Sequence, residues 1–126
     1  MKLKKILIVY DHANTIMSLE YAFKKKNYQV LIARDEIEAI KIAKTQLPML
    51  ILLNFMTSKT NSYQILKEIK QLKKLSNIKT LLLLTKNKSI YVEKGIAMGA
   101  DNYLLKPFST KKLIEKAENM LDTIVS

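Results

Sequence analysis

The stretch MLILLNFMTS, residues 49–58, decides the fold. From Met49 to Leu53 it is apolar without interruption, and the run stops at Asn54. A half-exposed strand alternates apolar and polar residues, so a short unbroken run predicts a strand buried on both faces. ILIVY (6–10) and TLLLLT (80–85) read the same way. YQVLIA (28–33) is less uniform and suits a sheet edge, and NYLL (102–105) completes the set.

Between these runs apolar residues recur at helical spacing. Ile16, Leu19, Ala22 and Phe23 line one face of a first helix, and Ile37, Ile40 and Ala43 one face of a second. Ile65, Leu66, Ile69 and Leu72 do so in a third, and Ile114, Ala117, Leu121 and Ile124 in the last. The fourth segment, from about Ile90 to Met98, has the weakest pattern, and Gly95 within it costs about 1 kcal/mol against Ala. Asp35 and Ser109 are suited to N-caps, and Gly99 to a helix stop. Five alternating β–α units predict an α/β fold, an open doubly wound parallel sheet with helices on both faces. A chain of 126 residues suits a single domain over 1–126. Right-handed crossovers then place the functional crevice at the carboxyl ends of the strands.

Composition narrows the chemistry. Hydrophobic residues make up 48% and charged residues 26%, the balance of a folded globular protein. The absence of Cys excludes disulfides, thiolate nucleophiles and Cys-ligated metals, and a single His excludes His-rich metal sites. The opening MKLKKILIVYDH has too short an apolar run for a signal peptide, and no later run approaches the ~18 apolar residues of a membrane span. A cytoplasmic location with no membrane role is expected.

The carboxyl ends of the runs carry Tyr10-Asp11-His12, Asn54, Thr85 and Lys106-Pro107. In this order and spacing the chain resembles a response-regulator receiver domain over essentially its whole length. KILIVYDHAN resembles that family's opening strand, LPMLILLNFM the strand ending in the phospho-accepting Asp, and LLLLT the strand ending in the switch Thr or Ser. GADNYLLKPF (99–108) matches the family's G-A-D-x-Y-L-x-K-P-F ending in register at Gly99, Asp101, Tyr103, Lys106 and Pro107. The resemblance implies a flavodoxin-like (βα)5 sheet of strand order 2-1-3-4-5 and a cis bond before Pro107.

The departures bear on function. The resemblance implies a carboxylate nucleophile and two further acids that hold Mg²⁺, used in two-component signalling. Here Asn54 stands at the nucleophile's place and Tyr10 at that of the first acid, leaving Asp11 as the remnant of the acidic pocket. A carboxamide has no anionic oxygen with which to form an acyl phosphate, and Mg²⁺ wants hard anionic ligands. No catalytic residue and no metal ligand set is therefore expected, with Mg²⁺ binding weak or absent. Asp11 is expected beside Lys106 as a self-neutralising pair, kept for packing or for residual function. Tyr10 fills the emptied metal pocket or packs beside it. Thr85 and Tyr103 are the family's switch pair, or else a strand-end hydroxyl and a half-buried aromatic. The loop with Thr57, Ser58 and Ser62 lacks the family's Pro and Gly and is expected to be built differently. His12 reads as an exposed loop residue.

The formal charge is +11, and of the 22 basic residues only Arg34 is not Lys. Lys2, Lys4, Lys5 and Lys79 precede strands, while Lys24–Lys26, Lys44, Lys73, Lys74 and Lys94 lie near helix ends. In a parallel α/β fold those places share the pole opposite the crevice. Lysine favoured at helix C-termini explains part of this, and compositional bias explains the excess itself. Lys111 and Lys112 go against the dipole rule.

The leading reading is a non-enzymatic pseudo-receiver that signals by phosphorylation-independent protein–protein interaction, through the face of the fourth helix, fifth strand and fifth helix that receivers use. A basic nucleic-acid-associated protein on the same scaffold, or an acidic partner at the lysine-rich pole, is the rival from another class. A receiver modified at an unconventional residue is a third. Cofactor binding is disfavoured, because the loop Asp11–Thr15 has no glycine to wrap a phosphate.

Overall fold

The computed structural model describes residues 4–57, 60–84 and 89–125, and the apolar runs become the strands of one parallel sheet. These are β1 (Lys4–Val9), β2 (Tyr28–Ala33), β3 (Leu50–Asn54), β4 (Lys79–Leu84) and β5 (Asn102–Leu105), in spatial order β2-β1-β3-β4-β5. The register is continuous: Ile8 stands between Ile32 and Leu52, and Leu52 faces Leu81. Helices α1 (Ala13–Lys25), α2 (Glu36–Gln46), α3 (Ser62–Gln71), α4 (Ser89–Ala97) and α5 (Thr110–Val125) alternate with the strands.

Alternate residues of each strand feed two cores. Ile6, Ile8, Leu50, Leu52, Leu81 and Leu83 pack with Leu19 and Phe23 of α1 and Leu113 and Ala117 of α5. Leu7, Val9, Ile51, Leu53, Leu82 and Leu84 face the other way, onto Ala39 and Ala43 of α2 and Ile65 and Ile69 of α3. Both faces are covered, which is why the central runs carry no polar alternation. β2 lies at the edge as its mixed composition predicts, and Val30, Leu31 and Ile32 are only partly buried.

Local signals act as read. Asp35 accepts the Glu38 N–H at 2.8 Å, and Ser109 accepts that of Lys112 at 3.0 Å. Gly99 stops α4 with a φ of 116°, a conformation that L side chains avoid. Gly95 lets α4 rest directly on the sheet: a Cβ there would lie 2.5 Å from a Leu82 methyl. Two side chains are corrected. Ile37 is 83% exposed rather than on the buried face of α2, which runs through Ala39, Ile40 and Ala43. The stripe is turned because two alanines let the helix approach the sheet. Leu72 follows α3 and is 37% exposed. Among the described residues no helix is long and apolar enough to cross a membrane.

Candidate functional site

Parallel strands deliver their last residues to one rim, so Tyr10, Asn54 and Lys106 meet although they are far apart in the chain. Asn54 closes β3 opposite Leu83 of β4 and is only 7% exposed, with apolar residues before it on the strand. Lys106 follows β5; its N–H donates to the Leu84 carbonyl at 2.6 Å, and its bond to Pro107 is cis. The Lys106 ammonium donates to the Asn54 amide oxygen and lies 4.7 Å from the centroid of the Tyr10 ring. Tyr10 is itself buried in the core shared by α1 and α5. One cation is thus held by an amide dipole and an aromatic face, both neutral.

Asp11 does not join it. The side chain is exposed, and no ion pair within 4 Å links it to Lys106 among the described residues. The expected self-neutralising pair is therefore replaced by Lys106–Asn54. Asp11 lies exposed in the turn into α1, while Asn54 at the end of β3 is buried with its amide oxygen in reach of Lys106. His12 does more than sit in a loop: as N-cap of α1 its Nδ1 accepts the Thr15 N–H at 3.3 Å.

The donor set fits Mg²⁺ poorly. Among the described residues no three His, Cys, Asp or Glu side chains gather. Asp11 supplies one carboxylate, Tyr10 presents a ring, and the Asn54 oxygen is engaged by an ammonium. A small hard cation needs several oxygens free to close on it.

The loop after Asn54 is closed by side chains in place of Pro and Gly. Met56–Thr57 pairs antiparallel with Thr60–Asn61. Asn61 caps α3 by accepting the Tyr63 and Gln64 N–H groups at 3.0 and 3.4 Å, and the buried Ser62 hydroxyl donates to the Phe55 carbonyl. Tyr103 is half-buried at the middle of β5, with the Lys116 ammonium 5.3 Å from its ring centroid. Thr85, its supposed switch partner, lies outside the described residues.

One cluster escaped the reading of the sequence. Phe55, just past β3, stacks edge-on against Tyr63 (5.4 Å) and tilted against Tyr91 (5.0 Å). The Tyr63 hydroxyl donates to the Tyr91 carbonyl at 3.3 Å, tying the start of α3 to the first turn of α4. Burial, and then the neighbouring Tyr91 phenol, push the Tyr63 pKa above its ordinary value. The available signal was the recurrence of aromatics within a few residues of a strand end or helix start.

Known proteins resemble this chain in sequence and in fold. The chain is 34% identical over 118 residues to the alkaline phosphatase synthesis transcriptional regulatory protein PhoP of Bacillus subtilis, covering 94% of this chain and 48% of that protein. It is 32% identical over 121 residues to the “Probable transcriptional regulator ycf27” of Porphyridium aerugineum, covering 96% and 49%. It therefore spans about half the length of these curated relatives. In fold it resembles a two-component response regulator from Clostridium difficile, with a TM-score of 0.89 at 22% identity over 98% of this chain and 99% of that one. Residues 6–118 match the family described as the response regulator receiver domain, and the chain belongs to that family.

Proposed function

We propose that this receiver domain is a cytoplasmic, non-enzymatic module that passes signals by contact with another protein and without phosphoryl transfer. The carrying observation is the Lys106 ammonium seated on the Asn54 amide oxygen and over the Tyr10 ring. An acyl phosphate needs an anionic oxygen at Asn54's place and a metal beside it, and these side chains supply neither. The crevice already holds its cation in neutral company, so it needs no ligand to be complete. The partner's surface is the face of α4, β5 and α5, where Ile96 is exposed and the Lys116 ammonium lies over the half-buried Tyr103 ring.

The test is Mg²⁺ titration and intact mass after exposure to acetyl phosphate, run on wild type, Asn54→Asp, Tyr10→Asp and the double variant. Wild type should gain no phosphoryl mass, and its melting curve should be unmoved by millimolar Mg²⁺. Asn54→Asp alone should also stay unmodified, because positioning and charge neutralisation around the phosphoryl group supply most of the rate. The double variant, with two new carboxylates beside Asp11, should gain Mg²⁺ affinity. Stoichiometric phosphorylation of wild type, at any residue, would overturn the proposal. Phosphorylation of Asn54→Asp alone would remove only Tyr10 from the account.

A further inference from the structure

The pole opposite the crevice carries a cationic surface that the site does not use. The parallel topology gathers strand starts and helix ends there, and contacts tie four of its lysines to neighbouring elements. Lys5, at the start of β1, reaches the Gln46 carbonyl and side chain at the end of α2 (3.4 and 3.1 Å). Lys4 lies 5.9 Å from the ring centroid of Tyr28 at the start of β2. Lys26, past α1, approaches Glu118 of α5 at 3.9 Å, and Lys79 donates its N–H to Met49 just before β3.

Most of this charge is uncompensated. Lys24 pairs with Glu20 at 3.1 Å, and Lys70 with Asp101 at 3.3 Å. Among the described residues no carboxylate lies within 4 Å of Lys4, Lys5, Lys25, Lys44, Lys73, Lys74 or Lys79. The helix dipole accounts for Lys25 and Lys44 in last turns. It does not account for strand starts, since sheets have small net dipoles, nor for Lys73 and Lys74, which follow the α3 C-cap Leu72. Lys70 shows what a structural lysine does here: it binds the Ser76 and Ile78 carbonyls. The others do not.

We propose that this pole binds the phosphate backbone of double-stranded nucleic acid without regard to sequence. The lysines belong to both helical layers and to the sheet between them, a span of roughly 20 Å given interlayer spacings of about 10 Å. That matches an extended polyanion better than one phosphate or carboxylate. Protein interfaces centre on aromatic and Arg anchors and are poor in Lys. This pole has Lys, and its aromatic Tyr28 is buried. The apolar side chains exposed near it, Leu47 and Leu72, are too few to seat an apolar partner. Arg34, the residue suited to reading base edges, follows β2 at the opposite end. The proposal stands apart from the reading of Asn54, and its test does not involve that residue.

The experiment is fluorescence anisotropy with two labelled DNA duplexes of unrelated sequence, across a salt series. Both duplexes should bind with affinities within about threefold. Affinity should fall with salt at a log–log slope of about −4 to −6, since each phosphate contact contributes roughly −0.9. The variant Lys25→Gln, Lys44→Gln, Lys73→Gln, Lys74→Gln should keep a cooperative melt, bind at least tenfold more weakly and lose about 3.6 units of slope. Lys111→Gln with Lys112→Gln, at the crevice end of α5, should bind like wild type. No duplex binding by wild type at ~50 mM salt, where such contacts are strong, would overturn the proposal. So would unchanged binding by the quadruple variant, or binding of polyglutamate or phosphatidylserine vesicles in preference to duplex.

Discussion

Two lysines meet side-chain oxygens at opposite ends of the same sheet, in opposite electrostatic company. Lys70 binds the Asp101 carboxylate at 3.3 Å and two backbone carbonyls, and the same carboxylate oxygen accepts the Thr80 N–H at 2.8 Å. That knot joins the end of α3, the turn after it, the start of β4 and the approach to β5. Lys106, in the crevice, has a neutral amide and a ring. A carboxylate partners the lysine that fastens chain segments, and none partners the lysine in the crevice. The two ends of the sheet thus hold their lysines by different polar chemistry.

The comparison is broken most directly by removing each oxygen partner. Asp101→Ala should cost about 2–3 kcal/mol in denaturant unfolding, chiefly because the N–H of the fully buried Thr80 loses its acceptor. The half-exposed ion pair adds little. Gly99→Ala, beside the same knot, should cost about 1–2 kcal/mol: its φ of 116° is strained for Ala, and the new Cβ would lie 2.5 Å from Lys70 Cγ. Asn54→Ala should cost less than about 1 kcal/mol, because the partly exposed Lys106 can turn to water. A loss as large as that of Asp101→Ala would end the distinction between the two ends.

The smallest effect sharpens the crevice side. Tyr63→Phe should cost about 0.5 kcal/mol at neutral pH, the worth of one shared hydrogen bond. Because the folded-state pKa lies above the ordinary 10.0, the stability linked to this phenol is complete below that pH and is lost as pH rises through the folded value. An absorbance titration should show one late-ionising tyrosine that the variant lacks, and the variant's stability should decline less steeply at alkaline pH. An unchanged titration would mean that the Phe55–Tyr63–Tyr91 cluster is open to water.

What the sequence made legible was whatever depends on neighbours along the chain. The runs at β1, β3 and β4 declare themselves because both faces are buried, and Asp35, Ser109 and Gly99 act within a turn of their own position. The strand order and the cis bond came from resemblance, carried by Gly99 to Pro107. Periodicity failed at Ile37, where a stripe built on Ala39 and Ala43 is too small to outweigh one large apolar residue. It was silent about which oxygen Lys106 would choose. Asp11 and Asn54 are equally near in topology, and the choice turned on desolvation, which is a property of the folded rim.

Gly95 and Leu82 share a single volume. With a Cβ on one falling 2.5 Å from the methyl of the other, and Leu82 wholly enclosed, neither position is free to change size alone. A library that randomised α4 would therefore recover side chains at 95 only in company with a shorter residue at 82. The surface helix and the central strand are, at this point, one site in sequence space.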